Sequence, residues 1–214
     1  MTPPAATMTG SRAGARRRAV ARRRRIRLGL GIGACAVAIG IVLAMPLFRK
    51  AVNDLSLPLA YPDVIRQQAA AKHLDPALIA AVIYAETKFD ARRSSAGAEG
   101  LMQILPATAE YLARRSGATT FTVSDLGTPS VNIAYGSYYL RYLLDQYNGS
   151  VMLALAAYNG GMTNVDHWVA QARSQGSQLG VGQIPFPETR AYVQRVLQAQ
   201  QDYRQTYAHQ LGYT

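Results

Sequence analysis

From residue 62 onward the apolar positions recur at helical spacing, and prolines, glycines and asparagines punctuate them. Pro62–His73 and Asp75–Thr87 read as two successive helices, with Asp75 as N-cap and Pro76 in the first turn. Lys88–Gly100 reads as a loop, Pro106–Arg115 as a helix stopped by Gly117, and 116–128 as a second loop. Pro129–Tyr147 carries Ile133, Gly136, Tyr139, Leu140 and Leu143 at helical spacing and is closed by Asn148-Gly149. Val151–Tyr158 is a short, wholly apolar helix broken by Asn159-Gly160-Gly161, after which Asn164–Ala172 resumes. Ser174–Gly182 is a flexible loop and Pro187–Tyr207 a long terminal helix. No strand and no internal repeat is expected, so the class is mainly α.

One helix carries an anomaly. In Leu78-Ile-Ala-Ala-Val-Ile-Tyr-Ala-Glu86-Thr87, residues Ile79, Val82, Ile83 and Glu86 fall at i, i+3, i+4 and i+7, which puts a carboxyl on the apolar stripe. No Lys or Arg stands three or four residues before it. Such an acid is either paired with a buried partner or held partly out of water, and desolvation raises its pKa. A carboxyl kept protonated near neutral pH is what general-acid cleavage of a glycosidic bond requires. The alternative is a helix-end glutamate turned to solvent.

Charge changes the picture at the N-terminus. The net charge of +11 divides unevenly: nine arginines (12, 16, 17, 18, 22, 23, 24, 25 and 27) precede residue 28, whereas beyond Lys50 twelve basic residues face twelve acidic ones. The globular part is therefore neutral, and nucleic acid is not an expected partner. Leu28–Phe48 is an uncharged run of 21 residues, long enough to span a bilayer. The arginines before it place the N-terminus in the cytoplasm and everything after residue 50 outside. A cleaved signal peptide would need a better exit than Met45-Pro46-Leu47, and a lipoprotein signal at Cys35 would leave 13 further apolar residues behind it. With one cysteine and three scattered histidines, His73, His167 and His209, no disulfide within the chain and no metal site is expected.

Four segments together resemble the soluble-lytic-transglycosylase family of peptidoglycan-cleaving enzymes, over about residues 62–205. They are Glu86-Thr87; Ser94-Ser-Ala-Gly-Ala-Glu-Gly100-Leu-Met-Gln103-Ile-Leu-Pro106; Asn132-Ile-Ala-Tyr-Gly136 leading through Tyr139-Leu140 to Ala156-Ala157-Tyr158-Asn159-Gly160-Gly161; and Pro185-Phe-Pro-Glu188-Thr-Arg-Ala-Tyr192-Val193. Each is weak alone, and their order and separation make them specific. The resemblance implies a goose-lysozyme-like helical domain in which Glu86 acts first as acid and then as base, with no cofactor. It further implies that Thr87, Ser94, Met102, Gln103, Tyr158, Asn159, Glu188 and Tyr192 serve the sugar site. Read from composition alone, Tyr158-Asn159 is equally a buried tyrosine with a cap, Gln103 a plain helix-start residue and Glu188 a first-turn acid. Three departures stand out: Thr87 replaces the family's usual serine, Glu86 and Gln103 lie 17 positions apart, one short of the commonest spacing, and Leu105 stands where methionine is frequent.

The expected organisation is an arginine-rich tail (1–27), a transmembrane anchor (28–48), a tether (49–61), a catalytic domain (62–207) and a C-terminal tail (208–214). The expected partners are peptidoglycan glycan strands and the bacterial cytoplasmic membrane. A hydrolytic goose-type muramidase and a non-catalytic wall-binding module on an anchor are the rival readings.

Overall fold

The computed structural model describes residues 57–213, so the arginine-rich tail, the apolar run 28–48 and most of the tether lie outside the described residues. The helices, in chain order, are α1 (Pro62–Lys72), α2 (Pro76–Thr87), α3 (Pro106–Ser116), α4 (Pro129–Gln146), α5 (Val151–Gly160), α6 (Met162–Ser174) and α7 (Pro187–Thr206). Single turns of 3₁₀ helix at Val123–Gly127 and Val181–Gln183 lead into α4 and α7. Five of the helices, α1, α2, α3, α4 and α7, begin with proline in the first turn, where a missing N–H costs nothing.

Two expectations about secondary structure change. The loop after α2 contains a two-residue antiparallel ribbon, β1 (Arg92–Arg93) with β2 (Glu99–Gly100), Arg92 opposite Gly100 and Arg93 opposite Glu99. Its turn is closed by the Ala98 N–H donating to Ser94 Oγ at 3.0 Å. Local turn chemistry, not alternation of side chains, makes this ribbon, so no strand pattern announced it. The break after α5 also shrinks to a single residue: α5 runs through Asn159 to Gly160, and Gly161 alone, at φ 82°, turns the chain into α6.

Helix α2 is the centre of the core. Ala77 through Ile83 are all buried, against α7 on one side and α1 on another. The helix is therefore wrapped on every face rather than amphipathic, and only Tyr84, Ala85 and Glu86 reach its partly exposed end. Each large aliphatic side chain so buried contributes roughly 1.5–3 kcal/mol. The apolar helix α5 supplies the second central element, with Ala154–Ala157 buried between α4, α6 and α7.

The segment expected to be a C-terminal tail belongs to the fold. Leu211 is buried, and the Tyr213 hydroxyl donates to the Asp75 carboxylate. Asp75 caps α2 by accepting from the Ala77 N–H at 3.0 Å and also receives Gln200 and Arg204 of α7. Burial pushes the Asp75 carboxyl up, but the hydrogen bonds from Tyr213, Gln200, Arg204 and Ala77 outweigh it and hold it below its ordinary value. The end of the tether docks likewise: Tyr207 donates to the Leu57 carbonyl at 2.8 Å, and Tyr203 donates to that of Pro58.

Asp75→Ala removes a helix cap and the acceptor shared by Tyr213, Gln200 and Arg204. It should lower stability at neutral pH by about 1–2 kcal/mol, the upper part of the range for loss of a cap. The loss should shrink as pH falls through the depressed Asp75 value, because the wild-type carboxylate is then protonated too. Denaturant melts at pH 7 and pH 3 check both statements.

Candidate active site

The site is built at the C-terminal end of α2. Lys88 and Phe89 both take left-handed backbone, at φ 53° and 64°, and reverse the chain directly after Glu86-Thr87. The ribbon then folds back over that end: Arg92 donates through Nη2 to the Glu86 carbonyl at 3.2 Å. Thr87 is buried, and its hydroxyl donates to the Leu101 carbonyl at 2.8 Å, tying the helix to the loop that covers it.

That loop has almost no regular structure, so its backbone groups must be satisfied individually. One fully buried amide ties the loop to a neighbouring helix. Asn132, in the first turn of α4, accepts from the Met102 N–H at 2.8 Å and donates to the carbonyls of Glu99 at 2.8 Å and Leu126 at 3.1 Å. Gly100, at φ 74°, is required there, because a Cβ would stand 2.2 Å from Asn132 Nδ2. Gly136 one turn along α4 is equally constrained: its missing side chain makes room for the fully buried Met102, whose sulfur would lie 2.3 Å from a Cβ. Gln103 is held at φ 49° by its own side chain, which donates to the carbonyls of Arg92 and Gly100, both at 2.8 Å.

Glu86 is half-buried in this setting. Desolvation raises its carboxyl from the ordinary value to about 7, against the opposing pull of Tyr192 and, more weakly, of the Arg195 and Arg92 charges. Its place in the last turn of α2, at the negative end of the helix dipole, acts in the same direction as desolvation. The buried Tyr192 hydroxyl faces Glu86 closely enough to favour the ionised form but is not aligned as a full hydrogen bond. Tyr158 donates to the Met102 carbonyl at 2.8 Å. Burial first, and the Glu86 charge second, push the hydroxyls of Tyr158 and Tyr192 well above the ordinary tyrosine value, so both remain neutral donors.

A cleft of about 390 Å³ opens beside this cluster, lined by Gln103, Leu105, Thr108, Tyr139, Tyr158 and Asn159 among others. The structure thus brings Glu86, Tyr158 and Tyr192 together, and joins Gln103, Tyr158 and Asn159 in one wall; Tyr158 belongs to both groups. Met102 offers its carbonyl and keeps its side chain in the core. Thr87 and Ser94 hold backbone, and Glu188 stands exposed in the first turn of α7, four residues before Tyr192. Sequence reasoning passed over Asn132, Arg92, Arg195 and Tyr139 as functional residues. Asn132 left two signals: it opens the third resembling segment, and asparagine is a poor helix former that needs a reason to stand next to Ile133.

The chain matches a family model described as the transglycosylase SLT domain over residues 63–180, and one described as the soluble lytic transglycosylase helical domain over residues 183–213. It is 32% identical over 150 residues to the soluble lytic murein transglycosylase of Escherichia coli K12, covering 69% of this chain and 23% of that protein. Among solved structures, an inactive Glu→Gln mutant of the lytic transglycosylase Slt from Pseudomonas aeruginosa superposes with TM-score 0.66 at 34% identity. That match covers 73% of this chain and 26% of the other. The 70 kDa soluble lytic transglycosylase of Escherichia coli gives TM-score 0.67 at 30% identity, covering 72% and 25%. The chain therefore spans about a quarter of the length of the soluble lytic murein transglycosylases it matches.

Two outcomes follow for the site. Asn132→Ala leaves the Met102 N–H and the Leu126 carbonyl without this partner, and the Glu99 carbonyl with only the Ile104 N–H; it should cost about 2–4 kcal/mol in denaturant melts. A carboxyl whose folded-state value is raised contributes stability that is complete below its unfolded value and lost as pH rises through about 7. Glu86→Gln should therefore match wild type near pH 4 and exceed it at pH 8, by about 1–3 kcal/mol in thermal melts.

Proposed function

The chain belongs to the transglycosylase SLT family, and from that premise we propose that it cleaves the MurNAc-β-1,4-GlcNAc linkage of peptidoglycan without water, with Glu86 as the one acid and base. The observation that carries the reading is a carboxyl held near pH 7 by burial, beside two neutral tyrosines and a polar-walled cleft. At neutral pH a large fraction of Glu86 is protonated. It donates that proton to the bridging oxygen as the glycosidic bond breaks, and the substrate's own N-acetyl group stabilises the cationic carbon. The carboxylate left behind takes the proton of the muramyl C6 hydroxyl, whose oxygen closes a 1,6-anhydro ring, and Glu86 returns to its starting form.

Neutral Tyr158 and Tyr192 suit this cycle, because they remain donors while Glu86 alternates in charge. Thr87, Asn132 and Gln103 position the loop, and Gln103, Tyr158 and Asn159 present polar groups to the sugars. Glu188 and Ser94 are assigned to the outer rim and to the turn of the covering loop. That a relative is inactivated by one Glu→Gln substitution fits a reaction resting on a single carboxyl. The 21-residue apolar run would hold the enzyme in the cytoplasmic membrane with its catalytic domain outside.

Glu86→Gln should lower turnover of purified sacculi by at least 10²–10⁴-fold, roughly the worth of general acid–base catalysis. Wild-type products, by mass spectrometry, should end in 1,6-anhydromuramic acid and carry no ¹⁸O from labelled water. Reducing ends bearing the label would identify a hydrolase on the same scaffold, and full activity in Glu86→Gln would remove the site assignment. The wild-type rate should fall as pH rises through about 7, where the acid form of Glu86 is lost.

A further inference from the structure

A second cavity, of about 630 Å³, lies where the end of α1 meets the second half of α4, lined by Lys72, His73, Tyr138, Arg141 and Asp145. It is separate from the cleft beside Glu86. Tyr138, Arg141 and Asp145 stand at i, i+3 and i+7, on one face of α4. Tyr139, through which α4 lines the cleft, is turned about 100° from Tyr138.

Beyond Lys50 the chain carries as many acids as bases, so a local surplus of charge here comes from placement. Arg141 sets its Nη2 2.5 Å from the Asp145 carboxylate, and its Nη1 donates to the His73 carbonyl at 3.5 Å. Its Nε is buried and has no hydrogen-bond partner, which is a standing demand for an acceptor. Lys72, half-buried at the end of α1, donates to the neutral amide oxygen of Gln68, and no carboxylate among the described residues pairs with it. Desolvation holds the Lys72 ammonium below its ordinary pKa, an effect that a nearby anion would reverse. Two cations against one carboxylate leave one positive charge of the cavity uncompensated.

We propose that this cavity binds a phosphate group, held by Lys72 and Arg141, with Tyr138 and His73 as further donors. The donors are of different kinds and come from two helices. That arrangement suits an anion whose acceptor oxygens point in several directions, whereas a carboxylate offers two in one plane. Ammonium and guanidinium complement each other on phosphate, the first as a point charge and the second as a fork. Asp145 does not bar entry, because Arg141 already neutralises it. The phosphate has two sources, the free ion or a phospholipid head group. On the membrane reading of residues 28–48, the 13 residues 49–61 extend at most roughly 45 Å, which keeps lipid head groups within range.

The test is calorimetric titration of the full chain, in an uncharged, phosphate-free detergent, with inorganic phosphate at constant ionic strength. Saturable binding is expected. Lys72→Met, which keeps the aliphatic stem and loses the charge, should weaken it at least about tenfold. Asp145→Asn should bind phosphate more tightly than wild type, because it removes the one acid of the cavity; the loss of a structural ion pair would not have that effect. A second arm uses glycerophosphoglycerol, the head group of an anionic lipid. Binding of this diester marks a lipid site, and binding of inorganic phosphate alone marks a free-ion site. No saturable heat with either compound, or equal affinity in wild type and Lys72→Met, would overturn the proposal. Weaker binding in Asp145→Asn would overturn the assigned charge balance.

Discussion

Keeping one carboxyl largely out of water is the constraint on which the rest of this structure depends. An isolated carboxylate in an apolar setting is expensive, and the protein meets that cost by letting Glu86 hold its proton to about pH 7. A helix with one polar face would not do this, because its end would be wet. Helix α2 is buried from Ala77 to Ile83, and the chain reverses at Lys88 and Phe89 so that loop and ribbon return over the last turn. The arginines nearby, Arg92 and Arg195, act on Glu86 less than Tyr192 does, which leaves desolvation in control.

Irregular backbone placed over a half-buried acid creates a second demand, since its N–H and C=O groups need partners where water is scarce. Asn132 answers it from a neighbouring helix, and Thr87 and Gln103 answer it from the loop's own vicinity. The residues that fix the loop are thus distinct from the carboxyl whose pKa is raised. Thr87 illustrates the division. With its hydroxyl engaged on Leu101, it works as a tie whose partner is the backbone, and the added methyl relative to serine sits inside the core.

Much of this was legible in the chain. Helix starts were written in prolines and in Asp75, and the acid stood out because no periodic pattern asks for Glu86 among Ile79, Val82 and Ile83. What stayed hidden depended on contacts across long separations. Asn132 reaches Met102 thirty residues away, and Tyr213 reaches Asp75 from the far end of the chain. Local propensity carries no information about such pairs. The ribbon was missed for the opposite reason, since it is so local that only the Ser94 turn and its hydrogen bond make it.

The docking of Leu57 and Pro58 has a mechanical side. Tyr203 of α7 and Tyr207 just past its end hold the two carbonyls, and the same helix carries Tyr192 against Glu86. At a rise of about 1.5 Å per residue, some 16 Å of continuous helix separates Tyr203 from Tyr192. A tension applied to the backbone at residue 57 would fall on those two hydrogen bonds and so on the helix whose other turns stand beside Glu86. The Leu57 and Pro58 carbonyls and the Glu86 carboxyl are thus two stations on one strut, and a load on one is borne by the helix that lies against the other.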